Sequence, residues 1–322
     1  MIDFIEATQY YCKDSPNLGH CKPFPCKLNQ YGWETYTLQG CKKLEVHWNP
    51  EAGMLKIKGS LPYWWQSHNF SFSNSDFVES VSMLQGLLGV SLWDASLDVF
   101  EYGCIFPVEY SPSLYIKNHN ARDHSHLYLN EKGKDRGAFR WWDGKDGLVL
   151  KLYDAGRNVK MKQGLKIREV IGNAGYNPDL HFLKFEMHLN KPEVLNKGRA
   201  VELESLQDPS FLHSLERTLM EQYRLLMPMK TLTQPTKKKN LSALDIVVSV
   251  YVENQMNQGI PVAEAKRNIY AYINQAGCLD KQDKDARKAT IRKVFGKLQE
   301  SEESQWDLTH KIEDALSIEC EA

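Results

Sequence analysis

No run of about 18 apolar residues, the length a membrane helix needs, occurs in this chain. The first residues also lack the basic-then-apolar pattern of an export signal, so a cytoplasmic protein with no membrane partner is expected. An excess of one charge is missing too: 40 Lys and Arg stand against 41 Asp and Glu, a net charge of −1. Any nucleic-acid binding must therefore come from local basic patches, because no global field attracts a polyanion. Paired cysteines are absent. Of seven cysteines, Cys12, Cys21, Cys26 and Cys41 cluster early, at spacings of nine, five and fifteen, with no C-x-x-C among them. Free thiols are expected, and a zinc site of unusual spacing is the alternative. There is no internal repeat and no low-complexity tract.

What is present is an ordinary globular composition, 42% hydrophobic and 25% charged, over 322 residues. That length suits one large domain plus an appendage. The boundaries expected are a first domain over 1–230, a proline- and lysine-bearing linker over 231–241, and a helical module over 242–322.

Strand-like alternation runs through the first domain. Segments 1–5, 33–38, 44–48 and 54–58 read as strands, with a loop over 14–25 and a turn at 49–53. Residues 59–70 form an aromatic, polar connector. A helix follows, capped by Ser75, packed through Phe77, Val81, Leu84, Leu87 and Leu88, and ended by Gly89. Further strands are expected at 96–102, 124–129, 148–153 and 180–189, and a two-proline loop holds Pro107 and Pro112.

Each of these later strands carries one apolar and one polar face. In 148–153, Leu148, Leu150 and Leu152 oppose Val149, Lys151 and Tyr153. In 180–189, Leu183, Phe185, Met187 and Leu189 oppose Lys184, Glu186 and His188, and Asp98 lies inside the strand at 96–102. The fold class expected is α+β: an antiparallel sheet packed on helices by its apolar face, its polar faces merged into one catalytic surface. On that surface Tyr153 is a candidate nucleophile, with Tyr128 and Tyr176 as alternatives. Asp98 and Glu186 are candidate ligands for Mg²⁺ or Mn²⁺; Glu101, His124 and His126 are further candidates, Glu101 only if a bulge turns it toward Asp98. Lys151, Arg157, Lys160 and Lys184 are candidate phosphate contacts, with Arg157 and Lys160 in a basic run after a small turn.

In the last third, helices are expected over 242–257, 261–276 and 283–299. Lys284, Lys288 and Arg292 repeat every fourth residue on the third of these, either as a DNA-contacting face or as a solvated one.

These pieces, in order, resemble the filamentous-phage gene II/X replication proteins and, more loosely, the trans-acting Rep initiators of rolling-circle plasmids. The likeness rests on Met1-Ile-Asp3, Gln66-Ser-His-Asn-Phe70, Leu97-Asp98, Leu150-Lys-Leu-Tyr153-Asp-Ala-Gly156 and Leu183-Lys-Phe-Glu186, and covers most of residues 1–190. Lys184 and Ala155 depart from the family pattern, where Arg and Lys are common. The resemblance implies a Rep-like endonuclease in a bacterial host. It would nick and rejoin single-stranded or supercoiled origin DNA through a 5′-phosphotyrosyl bond at Tyr153, with Asp98 and Glu186 at a metal. Host helicase and polymerase are the partners implied. Two other readings are a non-catalytic origin-binding protein and a mobilisation or transposition transesterase.

Overall fold

The computed structural model describes residues 1–10, 12, 14–23, 32–38, 44–122, 125–129, 139–228, 232–233, 242–256, 260, 262–300, 304 and 306–321. In chain order the elements are β1 (Ile2–Gln9), β2 (Cys21–Pro23), β3 (Glu34–Leu38), β4 (Leu44–Asn49), β5 (Met54–Ser60), α1 (Leu61–Trp65), α2 (Asn74–Leu88), β6 (Ser96–Val108) and α3 (Pro112–Lys117). There follow β7 (His119–Ala121), β8 (Tyr128–Leu129), β9 (Phe139–Asp143), β10 (Leu148–Asp154), α4 (Ala155–Gln163), α5 (Ile167–Asn173), β11 (His181–Leu189), α6 (Pro209–Tyr223) and β12 (Leu226–Pro228). The chain ends with β13 (Leu232–Thr233), α7 (Ala243–Met256), α8 (Val262–Gln275), α9 (Lys281–Phe295), β14 (Gln299–Glu300) and α10 (Thr309–Glu321).

Two compact units result. The first comprises Met1–Lys117, Ala121–Leu226 and Leu308–Ala322; the second comprises Asn118–Asn120 and Met227–Asp307. The C-terminal helix α10 thus belongs to the first unit, whereas the sequence pattern places all of 242–322 in one helical module.

The first unit is an α+β assembly built on a ten-stranded sheet of order β2-β3-β4-β5-β1-β6-β11-β10-β9-β8. Its pairings are antiparallel. Period-two alternation gives the sheet two unlike faces. On one face Phe100, Tyr102, Cys104 and Phe106 of β6 lie opposite Leu189, Met187, Phe185 and Leu183 of β11. Leu150 and Leu152 of β10 continue this face, and all these residues are buried. The Phe185 ring meets Tyr223 of α6 edge-on at 5.5 Å, and α10 packs on β6 and α6. The opposite face carries the ionisable side chains.

Local chemistry explains where the elements depart from expectation. Residues 61–65 form a helix because Ser60 caps it and Pro62 sits in its first turn, where a missing N–H costs nothing. Helix α2 is capped by Ser73, in a reciprocal capping box with Asp76, and not by Ser75; Gly89 closes it in the left-handed conformation. Strand β6 runs through Pro107. Beyond Gly103, whose N–H donates to the Met1 carbonyl, it has left β1 behind and pairs with β11, so a missing donor is tolerated there. The expected loop over 14–25 contains strand β2, paired with β3. Of the described residues in the expected strand 124–129, Tyr128–Leu129 form strand, and His126, with a positive φ of 60°, lies in a bend.

In the second unit α7, α8 and α9 surround Val248, Val252, Ala265, Ile291 and Val294. Most of the 231–241 segment lies outside the described residues; Leu232–Thr233 within it pairs with Gln299–Glu300.

Candidate functional site

The polar face converges on the three central strands. Register sets Lys151 opposite Glu186 and Tyr153 opposite Lys184 across β10 and β11. It sets Gly103 opposite Glu186 and Glu101 opposite His188 across β6 and β11. Gly103 makes the room. A Cβ there would fall 2.3 Å from the Phe185 carbonyl oxygen and 2.5 Å from the Glu186 Cβ, so no side chain fits there unless the strands shift. Asp3 enters from β1, whose register on β6 shifts between Ile2 and Ile5. Ser60 Oγ donates to its Oδ1 at 2.6 Å, and Asn69 Nδ2 donates to its Oδ2 at 2.9 Å.

At the centre lies Lys184, 0% exposed. Its ammonium pairs with Asp3 and, at 2.7 Å, with Glu186 Oε2. The Tyr153 hydroxyl donates to that same Glu186 oxygen at 3.2 Å, and its ring stacks on Phe139 with centroids 5.4 Å apart. A second cation, Lys151, joins Glu101 and stands 3.5 Å from Glu186 Oε1. The Glu101 carboxylate also faces His188 Nδ1 at 2.8 Å, while His188 Nε2 lies 2.9 Å from Asn190 Oδ1.

Burial and pairing divide the labour among these groups. Burial works to raise Asp3, but Lys184, Ser60 and Asn69 outweigh it and hold the carboxyl well below its ordinary range. Burial likewise works against a charged Glu101, which its bond to His188 and the Lys151 charge overcome, lowering it. Glu186 behaves oppositely: burial, with Glu101 nearby, raises it despite Lys184. Burial and the Glu186 charge also push the Tyr153 phenol far up. Lys184 and Lys151 are driven up by their carboxylates against the pull of burial. The result is two carboxyls held down by their partners and a third, Glu186, shifted upward and directly beside a phenol.

Ligand oxygens of Asp3, Glu101 and Glu186 all lie within 4.8 Å of one another, so this acidic triad could hold a metal ion. An all-carboxylate set suits a hard cation such as Mg²⁺ or Mn²⁺. The two ammoniums already balance part of this charge, so a cation binding here would have to displace Lys151, the more exposed of the two.

The triad differs from the expected ligand set. Asp98 is not in it: it accepts from Thr8 Oγ1 at 2.6 Å and pairs with Lys56 at 3.0 Å. A bulge lies at this point of the strand. Glu6 and Ala7 of β1 face Val99 and Leu97, leaving Asp98 as the extra residue of β6. Glu101, after that bulge, is the residue that joins Glu186. His126 is exposed in a bend and outside the cluster, and His124 lies outside the described residues. Lys184, expected on a phosphate, is an internal cation with no solvent exposure, because two buried carboxylates claim it. Arg157 and Lys160 are exposed on α4, a helix that Asp154 caps where a small turn is expected from the sequence. Tyr128 is exposed, and Tyr176 packs edge-on against Phe70 and Phe182; neither hydroxyl is in the cluster. Lys284, Lys288 and Arg292 lie on α9 in the second unit. Cys12 and Cys21 are free thiols, while Cys26 and Cys41 lie outside the described residues.

Asp3, Ser60, Asn69 and Gly103 shape this cluster and are not among the expected site residues, although Asp3 and Asn69 lie in two of the motifs that carry the resemblance. A signal exists for Asp3, an acid between the apolar Ile2 and Phe4 at the start of β1, and a buried acid demands a partner. Comparison with protein-family models, curated proteins and solved structures returned no match.

Proposed function

We propose that this polar face nicks and rejoins single-stranded origin DNA to start rolling-circle replication. The observation that carries the reading is the Tyr153 hydroxyl donating to Glu186 within a cluster of three carboxylates and two lysines. Glu186 takes the phenolic proton; its raised affinity for protons makes it a better base than an ordinary carboxylate. The phenolate oxygen attacks phosphorus, the P–O3′ bond breaks, and the 3′ oxygen leaves with a proton from the surroundings. A 5′-phosphotyrosyl ester remains, and attack by a 3′-hydroxyl reverses the step and reseals the strand. Lys151, once released from Glu101, is the cation placed to meet the phosphate. A divalent ion held by Asp3, Glu101 and Glu186 would add charge neutralisation at the phosphate oxygens.

Tyr153 is only 7% exposed and its phenol is held protonated, which favours the second reading, a DNA-binding protein that does not cut. Both are tested by incubating the protein with end-labelled oligonucleotides from the DNA upstream of its own coding sequence, in Mn²⁺ or Mg²⁺. The transesterase reading expects a protein–DNA adduct that survives denaturation and disappears in Tyr153→Phe. An adduct persisting in that variant moves the nucleophile elsewhere. Sequence-specific binding without any adduct selects the non-cutting reading.

A further inference from the structure

Immediately after Tyr153 the chain enters a groove formed where α4, α5 and the start of β11 meet. It encloses about 340 Å³, within the range of roughly 300–1,000 Å³ typical of small-ligand sites. The rim is cationic. Arg157 and Lys160 stand one turn apart on α4, Arg168 lies on α5, and His181 opens β11. The floor is apolar: Ile171 and Phe182 are buried, while Leu180 stays 45% exposed at the mouth. Arg168 is held by Asp179 at 2.8 Å in an ion pair so exposed that it is worth little and is easily exchanged. Asp154, next to Tyr153 in the chain, lines the same groove and caps α4 by accepting from the Arg157 N–H at 2.8 Å.

Cations around an apolar floor match the two halves of a nucleotide, an anionic phosphate and a flat, weakly hydrated base. A duplex would not present a base to such a recess, whereas a single strand can. We infer that this groove holds one nucleotide of the single strand beside the scissile phosphate, its base over Leu180 and Ile171 and its phosphate on Arg157, Lys160 and Arg168. The inference rests on the DNA-processing reading of the neighbouring cluster. It adds what that cluster lacks, a place where base identity near the cut is sensed. Asp154 supplies an acceptor there for a base amino group.

The test uses full-length Tyr153→Phe protein without metal, so that binding is measured apart from cutting. Fluorescent single strands tiled from the upstream DNA are titrated, with an abasic residue moved through the tightest one. One position should cost about fivefold or more in affinity, the loss expected when a stacked base is removed. That position effect should vanish in the Arg157→Ala/Arg168→Ala variant, whose salt slope should fall by about one for each arginine removed from a phosphate. Asp179→Asn, which frees Arg168, should tighten binding. Equal cost at every position, or a position effect that survives the double substitution, overturns the groove as a nucleotide site. The wild-type adduct assay on the same strands separates the two ideas. An adduct without a position effect rejects the groove alone; a position effect without an adduct rejects Tyr153 as nucleophile and leaves the groove standing.

Discussion

Lys184 shows how single side chains set the character of this face. It is a fully buried ammonium between two carboxylates, so its removal takes from both the cation nearest them in a dry site and leaves Glu186 with Lys151 alone, at 3.5 Å. Lys184→Met should therefore destabilise the first unit by about 3–5 kcal/mol in urea unfolding. Adding Asp3→Asn should recover part of that loss, because one of the stranded charges is then gone. A fully additive double variant would mean that the pair does not interact as described. Gly103→Ala should cost about 1–3 kcal/mol by the same measurement, since its Cβ would meet backbone and not a yielding side chain. Much of the face is legible in the sequence because a period of two is rigid. Once Leu150 and Leu152 face inward, Lys151 and Tyr153 must face the other way, and Lys184 and Glu186 follow from Phe185 and Met187. Asp98 falls outside that logic because a bulge adds one residue and breaks the period; no propensity at residues 96–99 announces it. Asp3 is hidden as a member of the cluster because its partners come from Ser60, Asn69 and Lys184, far along the chain.

Among elements, helices are easiest to place where they bury a stripe and hardest where a cap alone defines them. Helix α2 is legible from Phe77, Val81, Leu84 and Leu88, all buried. Helix α4 reads as a turn because Ala155-Gly156 carries no apolar stripe; what starts it is the Asp154 side chain. Helix α7 offers a test of capping by charge. Asp245 forms a capping box with Ser242 and pairs with Lys297 at 2.9 Å. Lys297 first, then Ser242, hold its pKa down to about 2, against an ordinary 3.8. A depressed carboxyl stabilises the folded state above its unfolded pKa and loses that contribution as pH falls through the folded value. Protection of α7 amides in hydrogen exchange should thus decline between pH about 4 and about 2. In Asp245→Asn this acid-dependent component should be missing and protection lower already at neutral pH. Parallel acid profiles in the two proteins would remove Asp245 as its source.

At the scale of the whole molecule, near-zero net charge means that any grip on DNA must be local, and α9 offers a patch in the second unit. Lys284, Lys288 and Arg292 lie along one side of it, while Ile291 and Val294 are buried among α7 and α8. The patch is not purely basic. Asp283 and Asp285 are on the same helix, and Lys288 approaches Asp285 at 3.8 Å. A loose pair of this kind, with a half-buried lysine and an exposed aspartate, is exchanged cheaply for a phosphate, so acid neighbours weaken the field without closing the site. If α9 touches DNA, replacing all three cations with Ala should lower the slope of log affinity against log salt by about three, one per neutralised phosphate. The adduct on a short single strand should persist, because Tyr153 and its partners belong to the first unit. An unchanged slope would make the stripe a solvated helix face and leave the first unit as the DNA-binding part. Loss of the adduct together with the slope would instead show that the short strand is already held by the second unit.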